Sequence, residues 1–207
     1  MTTPPLSTPD ALQACVAQDT DERRYFIDFD YTLLLENSTD TYLQSARPKP
    51  LFWLILKALG LFRPWLLRGA NSVFLYRDAM RLALIERLRP ALLADLEARA
   101  AEIFAAHENT ELTATLKTVP AERIVIVSFG LTKVIAAILA TSRFTDCTIV
   151  ASQSDRLVED RRGGKLKMLE RAGFFLNPEL DVVVSDSYRD DQDILEHVKQ
   201  SFLIKWG

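Results

Sequence analysis

The chain has 207 residues, of which 48% are hydrophobic and 26% are charged, and its formal net charge is -3. This length allows one substantial core with a smaller inserted unit, and because the arginines are interleaved with acids, no basic stripe indicates a nucleic-acid partner. Two cysteines are too few for a disulfide framework and lack metal-ligand spacing, and the amino terminus has no secretion signal, so a cytoplasmic protein is expected.

The first strand is predicted to end in two acids. Residues 1–22 suggest a tether or one short helix, after which the aromatic and aliphatic run from Tyr25 to Phe29 is typical of a strand covered on both faces. Asp28 and Asp30 fall at its carboxyl end, where open α/β sheets bind ligands, and residues two apart in a strand point to the same side. Two neighbouring carboxylates favour either a bound divalent cation or a proton held on one acid, and an acidic turn without chemistry is the alternative.

A helical insert is predicted next, over residues 37–110. Strand character is lost after Thr32, and Pro48 and Pro50 mark the start of a new unit. Over residues 72–107 the apolar side chains recur at spacings of three, four and seven, as in amphipathic helices.

Residues 51–67 are the most apolar part of the insert. They contain Trp53 and Trp65 but are basic and interrupted by Pro64, so they do not predict a membrane-spanning helix. Two interpretations remain: a helix packed into the core of the insert, or an interfacial helix that contacts a membrane surface or a lipid-like substrate.

The second strand is predicted to lead through a tight turn into a helix. The apolar run Ile124–Val127 ends at Ser128, and a helix is expected from residue 131 to about residue 141. The Ser128 hydroxyl and the backbone N–H groups that follow it can hold an anion near the positive end of that helix, although a serine at such a turn is also a common helix cap.

Lys165 follows two glycines and opens a helix that runs through Arg171. Its ammonium can face a phosphate as a compact charge, or it can be a solvated helix residue. The polar residues 152–162 before it are predicted to form a surface loop.

A second strand that ends in acid follows. The valines at 182–184 predict a strand, and Asp186 lies at its carboxyl end. Asp190 lies four residues further on, a spacing that allows both acids to share one helix face. Asp191 and Asp193 are predicted to be solvated charges at the start of that helix. The predicted strands cover residues 25–29, 124–127, 147–151, 181–184 and 202–204.

These segments carry, in order, residues that resemble the four motifs of the haloacid dehalogenase superfamily: Asp28-Phe29-Asp30-Tyr31-Thr32, then Ser128, then Lys165, then Asp186 with Asp190. Across residues 23–205 the chain is most similar to the phosphoserine-phosphatase-like hydrolases, and it is also similar to hydrolase domains fused to membrane prenyltransferases. The resemblance implies an α/β fold whose three-layer Rossmann-like core, with a parallel sheet, is formed by residues 23–36 and 111–207. It implies an inserted all-helical cap over residues 37–110.

The resemblance also implies Mg²⁺-dependent removal of a phosphoryl group by two acids. Asp28 would attack phosphorus to form an aspartyl-phosphate, and Asp30 would protonate the leaving oxygen and then activate the hydrolytic water. Mg²⁺ would be held by the Asp28 carboxylate, the Asp30 backbone carbonyl and the Asp186 carboxylate. An acid at position 30 argues against dehalogenation, a reaction that has no use for it.

Three further residues receive roles by the same resemblance. Ser128 would donate to a phosphoryl oxygen, Lys165 would neutralise its charge, and Asp190 would order either the metal's water or Lys165. Three positions depart from the pattern. Tyr31 and Phe129 stand where glycine is common, and Asn37 stands where phosphoserine phosphatases place an acid for the amino-acid portion of their substrate, which disfavours phosphoserine.

The expected function is therefore a Mg²⁺-dependent phosphatase that acts on a phosphate monoester with a bulky or lipid-linked organic part. One alternative is a phosphotransferase or mutase of the same fold, which excludes water and passes the phosphoryl group to another acceptor. Another is a non-catalytic phosphate sensor that docks on a membrane or a partner. The expected partners are a small phosphorylated substrate and, through residues 51–67, a membrane surface, so the protein is placed in the cytoplasm or at the inner face of a membrane.

Overall fold

The computed structural model describes residues 6–45, 49–64 and 72–206. Within them the strands of one parallel sheet are β1 (Tyr25–Asp28), β2 (Ile124–Leu131), β3 (Thr148–Ser152), β4 (Val182–Ser185) and β5 (Gln200–Leu203). Their order is β3-β2-β1-β4-β5, so the strand that carries Asp28 lies at the centre. Each predicted strand coincides with an observed one, and the predicted α/β fold with a parallel, Rossmann-like sheet is confirmed.

The side chains of β1 are buried on both faces of the sheet. Tyr25 and Ile27 belong to a large apolar cluster on one face, and Phe26 belongs to a smaller cluster on the other. All three are fully buried, and removing a side chain such as Ile27 or Phe26 from water contributes roughly 1.5–3 kcal/mol. Continuous apolar runs therefore form this sheet because helices cover it from two sides.

The helices of the described residues are α1 (Pro9–Ala17), α2 (Ser38–Gln44), α3 (Lys49–Phe62), α4 (Ser72–Leu88), α5 (Leu92–Glu97), α6 (Ala100–His107), α7 (Thr110–Thr115), α8 (Thr132–Leu139), α9 (Leu157–Gly163), α10 (Lys165–Arg171) and α11 (Tyr188–Leu195). Helices α10 and α11 cover the face that carries Phe26, through side chains such as Leu169 and Ile194. Side chains from α1, α2 and α4 to α9 join the larger cluster on the opposite face.

The amino-terminal segment, predicted as a tether or a short helix, contains the helix α1. Thr8 caps it by accepting a hydrogen bond from the backbone N–H of Ala11 at 3.3 Å, and Leu12 is fully buried. The backbone N–H of Ser7 also donates to the carbonyl of Leu203 in β5 at 2.8 Å. Residues 1–5 lie outside the described residues.

The chain enters and leaves the helical segment at one place. The backbone N–H of Leu35 donates to the carbonyl of His107 at 2.7 Å, and that of Asn109 donates to the carbonyl of Leu33 at 2.9 Å. The Asn109 side chain also donates to the carbonyl of Thr32 at 2.8 Å. The division into a core and a cap over residues 37–110 stays a prediction, since buried side chains from both parts form one apolar cluster.

Two local predictions are wrong. The tight turn predicted after Ser128 is absent, because β2 continues to Leu131 and pairs there with Ser152 after a register shift. The surface loop predicted over residues 152–162 contains the helix α9. Although the sequence of α9 is polar, one face of the helix points inward, where Asp160 is 2% exposed and forms an ion pair with Arg171. This ion pair forms only in the folded chain, so the sequence of the segment alone does not indicate it.

Helix α3 exposes much of its apolar surface. Trp53 is 63% exposed and Phe62 is 80% exposed, whereas Ile55 packs against the large cluster. The interpretation of a helix packed into the core of the insert therefore holds for only one of its faces. Pro48 and residues 65–67, which include Trp65, lie outside the described residues. Within the three described stretches, no helix has the length and apolar character that crossing a membrane requires.

Candidate active site

The carboxyl ends of β1, β2 and β4 open into one cavity of about 220 Å³. Its lining includes all six residues that the sequence singles out: Asp28, Asp30, Ser128, Lys165, Asp186 and Asp190. This volume suits a phosphate-sized group better than a drug-sized ligand, whose sites reach about 300–1,000 Å³. A second cavity of about 350 Å³ adjoins the first and shares Phe129, Arg161 and Asp190 with it.

Lys165 lies buried between two carboxylates. Its Nζ is 2.5 Å from Asp28 Oδ1 and 2.8 Å from Asp191 Oδ2, and its side chain is 2% exposed. Burial raises the pKa of Asp28 to about 6 and the pKa of Asp191 to about 7, while the charge of Lys165 opposes both shifts. Although burial alone would lower it, the charges of Asp191 and Asp28 raise the pKa of Lys165, so the ammonium stays charged.

Asp191 is a residue of the site that the sequence did not predict. The prediction that it is a solvated helix-start charge is wrong, because its side chain is fully buried. Asp191 contacts Lys165, which the sequence predicted as one possible partner of Asp190. Asp190 lines the cavity instead, and its other predicted role, ordering the water of a metal ion, stays a prediction. A signal for this exists in the sequence, since Asp191 precedes the buried Ile194 and Leu195 by three and four residues and so shares their helix face.

Asp30 is held by the first turn of α2. Its Oδ1 accepts a hydrogen bond from the backbone N–H of Ser38 at 2.6 Å, and its Oδ2 lies 3.5 Å from Ser128 Oγ. Burial raises the pKa of Asp30, and the hydrogen bonding from Ser38 partly offsets that shift. The carboxyl group is therefore fixed in place and retains a proton more readily than an exposed aspartate.

Gly130 allows Asp30 and Ser128 to approach each other. A Cβ atom at this position would lie 2.8 Å from Ser38 Oγ and 3.3 Å from Asp30 Oδ2. The backbone N–H of Gly130 also donates to Ser128 Oγ at 2.9 Å, which leaves the hydroxyl proton of Ser128 available to another acceptor. The sequence gives no signal for this contact, because it depends on α2, which is distant in the chain.

The Thr32 hydroxyl joins the two strand ends that terminate in acid. It accepts a hydrogen bond from the backbone N–H of Asp186 at 3.0 Å, and it lies 3.4 Å from both Asp28 Oδ2 and Asp186 Oδ1. The carboxylates of Asp28 and Asp186 therefore meet on either side of one buried hydroxyl. Lys205 Nζ lies 3.4 Å from Asp186 Oδ2 and adds a cation at the rim.

The donor groups around Thr32 fit Mg²⁺, which prefers hard oxygen ligands and usually takes only one or two carboxylates from a protein. In the part of the chain that the structure describes, no three His, Cys, Asp or Glu side chains are grouped to hold an ion. The ligand set implied by the resemblance does not need three, because it combines the carboxylates of Asp28 and Asp186 with a backbone carbonyl. Each of those two carboxylates lies 3.4 Å from the Thr32 hydroxyl, so both are present at one place in the cavity.

Gly164 and Asp193 fix the start of the helix that carries Lys165. Asp193 Oδ2 accepts a hydrogen bond from the backbone N–H of Leu166 at 2.7 Å, so the prediction that Asp193 is merely solvated is wrong. Gly164 has a φ of +84°, in the region that favours glycine, and a Cβ there would lie 2.3 Å from Asp193 Oδ2. Both features require glycine immediately before Lys165.

Arg161 connects the cavity to the helical insert. It lines the cavity, and its Nη2 is 3.0 Å from Asp78 Oδ2 on α4. Burial alone would raise the pKa of Asp78, but the hydrogen bond from Arg77 and the charge of Arg161 lower it below its usual range, so Asp78 stays ionised. Arg161 is not among the predicted site residues, because the polar sequence of this segment predicts a surface loop.

Tyr31 adopts a φ of +60°, in the left-handed region that favours glycine. A side chain there costs roughly 1–2 kcal/mol, which explains why glycine is the expected residue at this position. The ring is half exposed and lines the cavity. Backbone strain at a residue that lines a cavity is characteristic of functional positions.

Comparison with known proteins gives a family match over most of the chain. Residues 25–192 match the haloacid dehalogenase-like hydrolases, and this segment contains Asp28, Asp30, Ser128, Lys165 and Asp186. A crystal structure of a dehalogenase aligns with 83% of this chain and 80% of that chain, at 15% sequence identity and a TM-score of 0.31. No protein of curated function matches the sequence.

Proposed function

Because the chain belongs to the haloacid dehalogenase-like hydrolase family, we propose that its hydrolase activity is that of a Mg²⁺-dependent phosphatase, which cleaves a phosphate monoester through an aspartyl-phosphate intermediate. We place it with the phosphoserine-phosphatase-like members, and we assign the helical segment of residues 37–110 as its cap. The strand-end acids and the buried lysine beside them support this choice.

The observation that carries the proposal is the second acid of the site, Asp30. Cleavage of a carbon–halogen bond expels a halide ion, which needs no proton, whereas cleavage of a phosphate ester expels an alkoxide, which does. Asp30 is partly buried and lines the cavity, desolvation raises its pKa, and Ser38 fixes its orientation. A carboxyl group that is held in place and binds a proton more readily than an exposed carboxyl is suited to protonating the leaving group of an ester.

The first step transfers the phosphoryl group to Asp28. A bond forms between a carboxylate oxygen of Asp28 and phosphorus, the bond between phosphorus and the ester oxygen breaks, and Asp30 gives its proton to that oxygen. Lys165 holds Asp28 Oδ1 at 2.5 Å and so orients the carboxylate for in-line attack. The alcohol then departs with the proton that Asp30 supplied.

The second step hydrolyses the aspartyl-phosphate. Asp30, now ionised, takes a proton from a water molecule as the water oxygen bonds to phosphorus, and the bond to Asp28 breaks. This restores the Asp28 carboxylate and the protonated Asp30 and releases inorganic phosphate. One group therefore serves as acid and then as base, which requires a pKa between those of an exposed carboxylate and an alcohol.

Asp28, the backbone carbonyl of Asp30 and Asp186 would hold Mg²⁺, which supplies positive charge between an anionic nucleophile and an anionic substrate. Two unit charges about 4 Å apart repel by roughly 4 kcal/mol at an effective dielectric of 20, which slows attack about a thousandfold. Thr32 keeps the two carboxylates together, since its hydroxyl contacts both.

Ser128 and Lys165 supply the remaining contacts to the phosphoryl group. The hydroxyl of Ser128 accepts from Gly130, so its own proton can be donated to a phosphoryl oxygen. Lys165 contributes a charge that is held by Asp28 and Asp191 and therefore needs no reorganisation during the reaction. Asp190 lines the same cavity and is assigned to ordering water there.

The shape of the site favours an ester whose organic part is larger than that of an amino acid. The main cavity has room for little beyond the phosphoryl group, and the adjoining cavity of about 350 Å³ receives the organic part of the ester. Asn37, which stands where an amine-binding acid is expected, lines the cavity with an uncharged side chain that caps α2 by accepting from Asp40 N–H at 3.0 Å. These features support an ester with a bulky organic part rather than phosphoserine.

Hydrolysis of p-nitrophenyl phosphate by the purified chain, with Mg²⁺ and with a chelator, tests the proposal. We expect Mg²⁺-dependent turnover that falls at least about a thousandfold in Asp28→Asn. Asp155→Asn is the matched control, because this aspartate is exposed outside the cavity, and it is expected to keep parental activity.

Two results would contradict the proposal. A parent enzyme that hydrolyses no phosphate ester in a broad panel, with Mg²⁺ present, would exclude phosphatase activity. Release of chloride from a 2-chloroalkanoate, lost in Asp28→Asn but retained in Asp30→Asn, would identify a dehalogenase instead, because that reaction needs the nucleophile and not the acid.

A further inference from the structure

Exposed apolar side chains are concentrated on helix α3. Trp53, Leu54, Leu61 and Phe62 are between 63% and 80% exposed. They are four of the nine large hydrophobic residues that are exposed in the described part of the chain, and they lie within fourteen residues. Such a concentration in water marks a surface that another body covers.

Three of these side chains share one side of the helix. Leu54 and Leu61 are seven residues apart, which at 100° per residue brings them within about 20° of each other, and Trp53 lies about 80° from Leu61 on the same half of the helix. Ile55 points away from this side and packs against the large apolar cluster. One face of α3 therefore attaches the helix to the protein, and the other presents its apolar side chains outward.

The charge around α3 differs from that of the whole chain. Residues 41–77 contain six lysines or arginines and no aspartate or glutamate, although the full chain has 28 acids and a net charge of -3. Lys57 and Arg63 are exposed beside the apolar side chains, and the ammonium of Lys57 lies 4.6 Å from the ring centre of Trp53. A tryptophan and a lysine side by side, in a stretch of sequence without acids, match the headgroup region of an anionic bilayer.

We propose that the exposed face of α3 docks on an anionic membrane surface. The helix lies along the surface rather than across it, because fourteen residues extend about 21 Å and the hydrocarbon core of a bilayer is about 30 Å thick. Docking inserts Trp53, Leu54 and Leu61 at the level of the headgroups, while Lys57 and Arg63 face lipid phosphates.

The docking surface is connected to the cavity through the next helix. Helix α3 packs on α4, and Asp78 of α4 is bonded to Arg161 in the cavity wall. The consequence for catalysis rests on the proposed phosphatase function. A chain held at the bilayer by this helix acts on phosphate esters that are themselves anchored there, which gives the bulky part of the substrate a lipid character.

Sedimentation with sucrose-loaded vesicles tests the docking surface on the full chain. We expect the parent to bind vesicles of phosphatidylcholine with about one third phosphatidylglycerol at least tenfold more strongly than pure phosphatidylcholine, since each basic residue near an anionic surface adds about fivefold. Binding is expected to weaken in about 0.5 M salt, where screening shortens the range of these charges.

The double variant Trp53→Glu with Leu54→Glu is expected to lose on the order of a hundredfold in vesicle binding, because two large apolar side chains no longer leave water. Phe175→Glu is the matched control, since Phe175 is 70% exposed and lies outside the stretch without acids. It is expected to bind vesicles like the parent. Both variants are expected to hydrolyse p-nitrophenyl phosphate like the parent, which shows that they are folded.

Other outcomes decide against the proposal. Equal binding of the parent and the double variant, or no binding of the parent to anionic vesicles, overturns it. A parent that sediments as a dimer, becomes monomeric in the double variant and ignores vesicles would show that a second copy covers α3. A chain that binds vesicles through α3 but hydrolyses no phosphate ester would overturn the phosphatase and leave the docking surface intact.

Discussion

Replacing Gly164 by alanine would disturb the start of α10, where Lys165 begins. The new Cβ would lie 2.3 Å from Asp193 Oδ2, well inside the contact distance of carbon and oxygen. Either the helix start or the Asp193 carboxylate must move, and the hydrogen bond from the Leu166 N–H to that carboxylate at 2.7 Å is then lost. The alanine must also adopt a φ of +84°.

The structure gives two separate contributions to the expected loss of stability. The left-handed backbone costs a residue with a Cβ roughly 1–2 kcal/mol, and loss of a helix-capping hydrogen bond costs roughly 0.5–2 kcal/mol. Gly164→Ala is therefore expected to lose about 1.5–4 kcal/mol. Gly173→Ala provides the control, because Gly173 has a φ of +83° but no atom within 4 Å of the new Cβ, so only the first contribution applies.

Urea unfolding of the parent and both variants measures the difference, with the midpoint and slope of each transition determined together. Turnover of a phosphate ester is expected to fall in Gly164→Ala and to stay near the parental value in Gly173→Ala, since only the first variant displaces Lys165. Combining Gly164→Ala with Asp193→Ala should cost no more than Gly164→Ala alone, because the hydrogen bond is already lost. Equal destabilisation of the two single variants would refute this account of Gly164.

Two further predictions concern partners of the acids in the site. Because Asp191 holds Lys165, Asp191→Asn is expected to lower kcat about tenfold or more, whereas Asp190→Asn is expected to lower it less than about threefold. Steady-state kinetics with p-nitrophenyl phosphate measures both values, and the reverse order would contradict this assignment. Thr32→Val keeps the shape of the side chain but removes the hydroxyl that accepts from Asp186, so the Mg²⁺ concentration for half-maximal activity is expected to rise about 10–100-fold. A Mg²⁺ titration that is unchanged in Thr32→Val would show that the hydroxyl does not position the carboxylates.

The sheet could be predicted because its signals are local. Continuous apolar runs such as Ile124–Val127 and Val182–Val184 form strands when both faces are covered, and the acids that follow the first and fourth strands mark their carboxyl ends. Parallel strands bring those ends to one edge of the sheet, so Asp28 and Asp186 had to approach each other once the strands were correctly placed.

The parts that could not be predicted depend on contacts between distant residues. The sequence of helix α9 is typical of a polar loop, because the arginine that neutralises its buried Asp160, Arg171, lies outside the segment. The choice between Asp190 and Asp191 depends on how α11 is rotated against the sheet, which follows from packing rather than from spacing alone. The need for glycine at position 130 appears only when Ser38 is brought within 2.8 Å of its would-be Cβ.

The adjacent entry and exit of the helical segment have a consequence for how such enzymes diversify. Leu35 and His107 are joined by one backbone hydrogen bond, although 71 residues separate them in the sequence. The segment also contains Ser38, whose backbone N–H holds the Asp30 carboxylate at 2.6 Å. Exchange of the whole segment would therefore also replace the group that orients Asp30, so the insert and the strand ends have to diversify together.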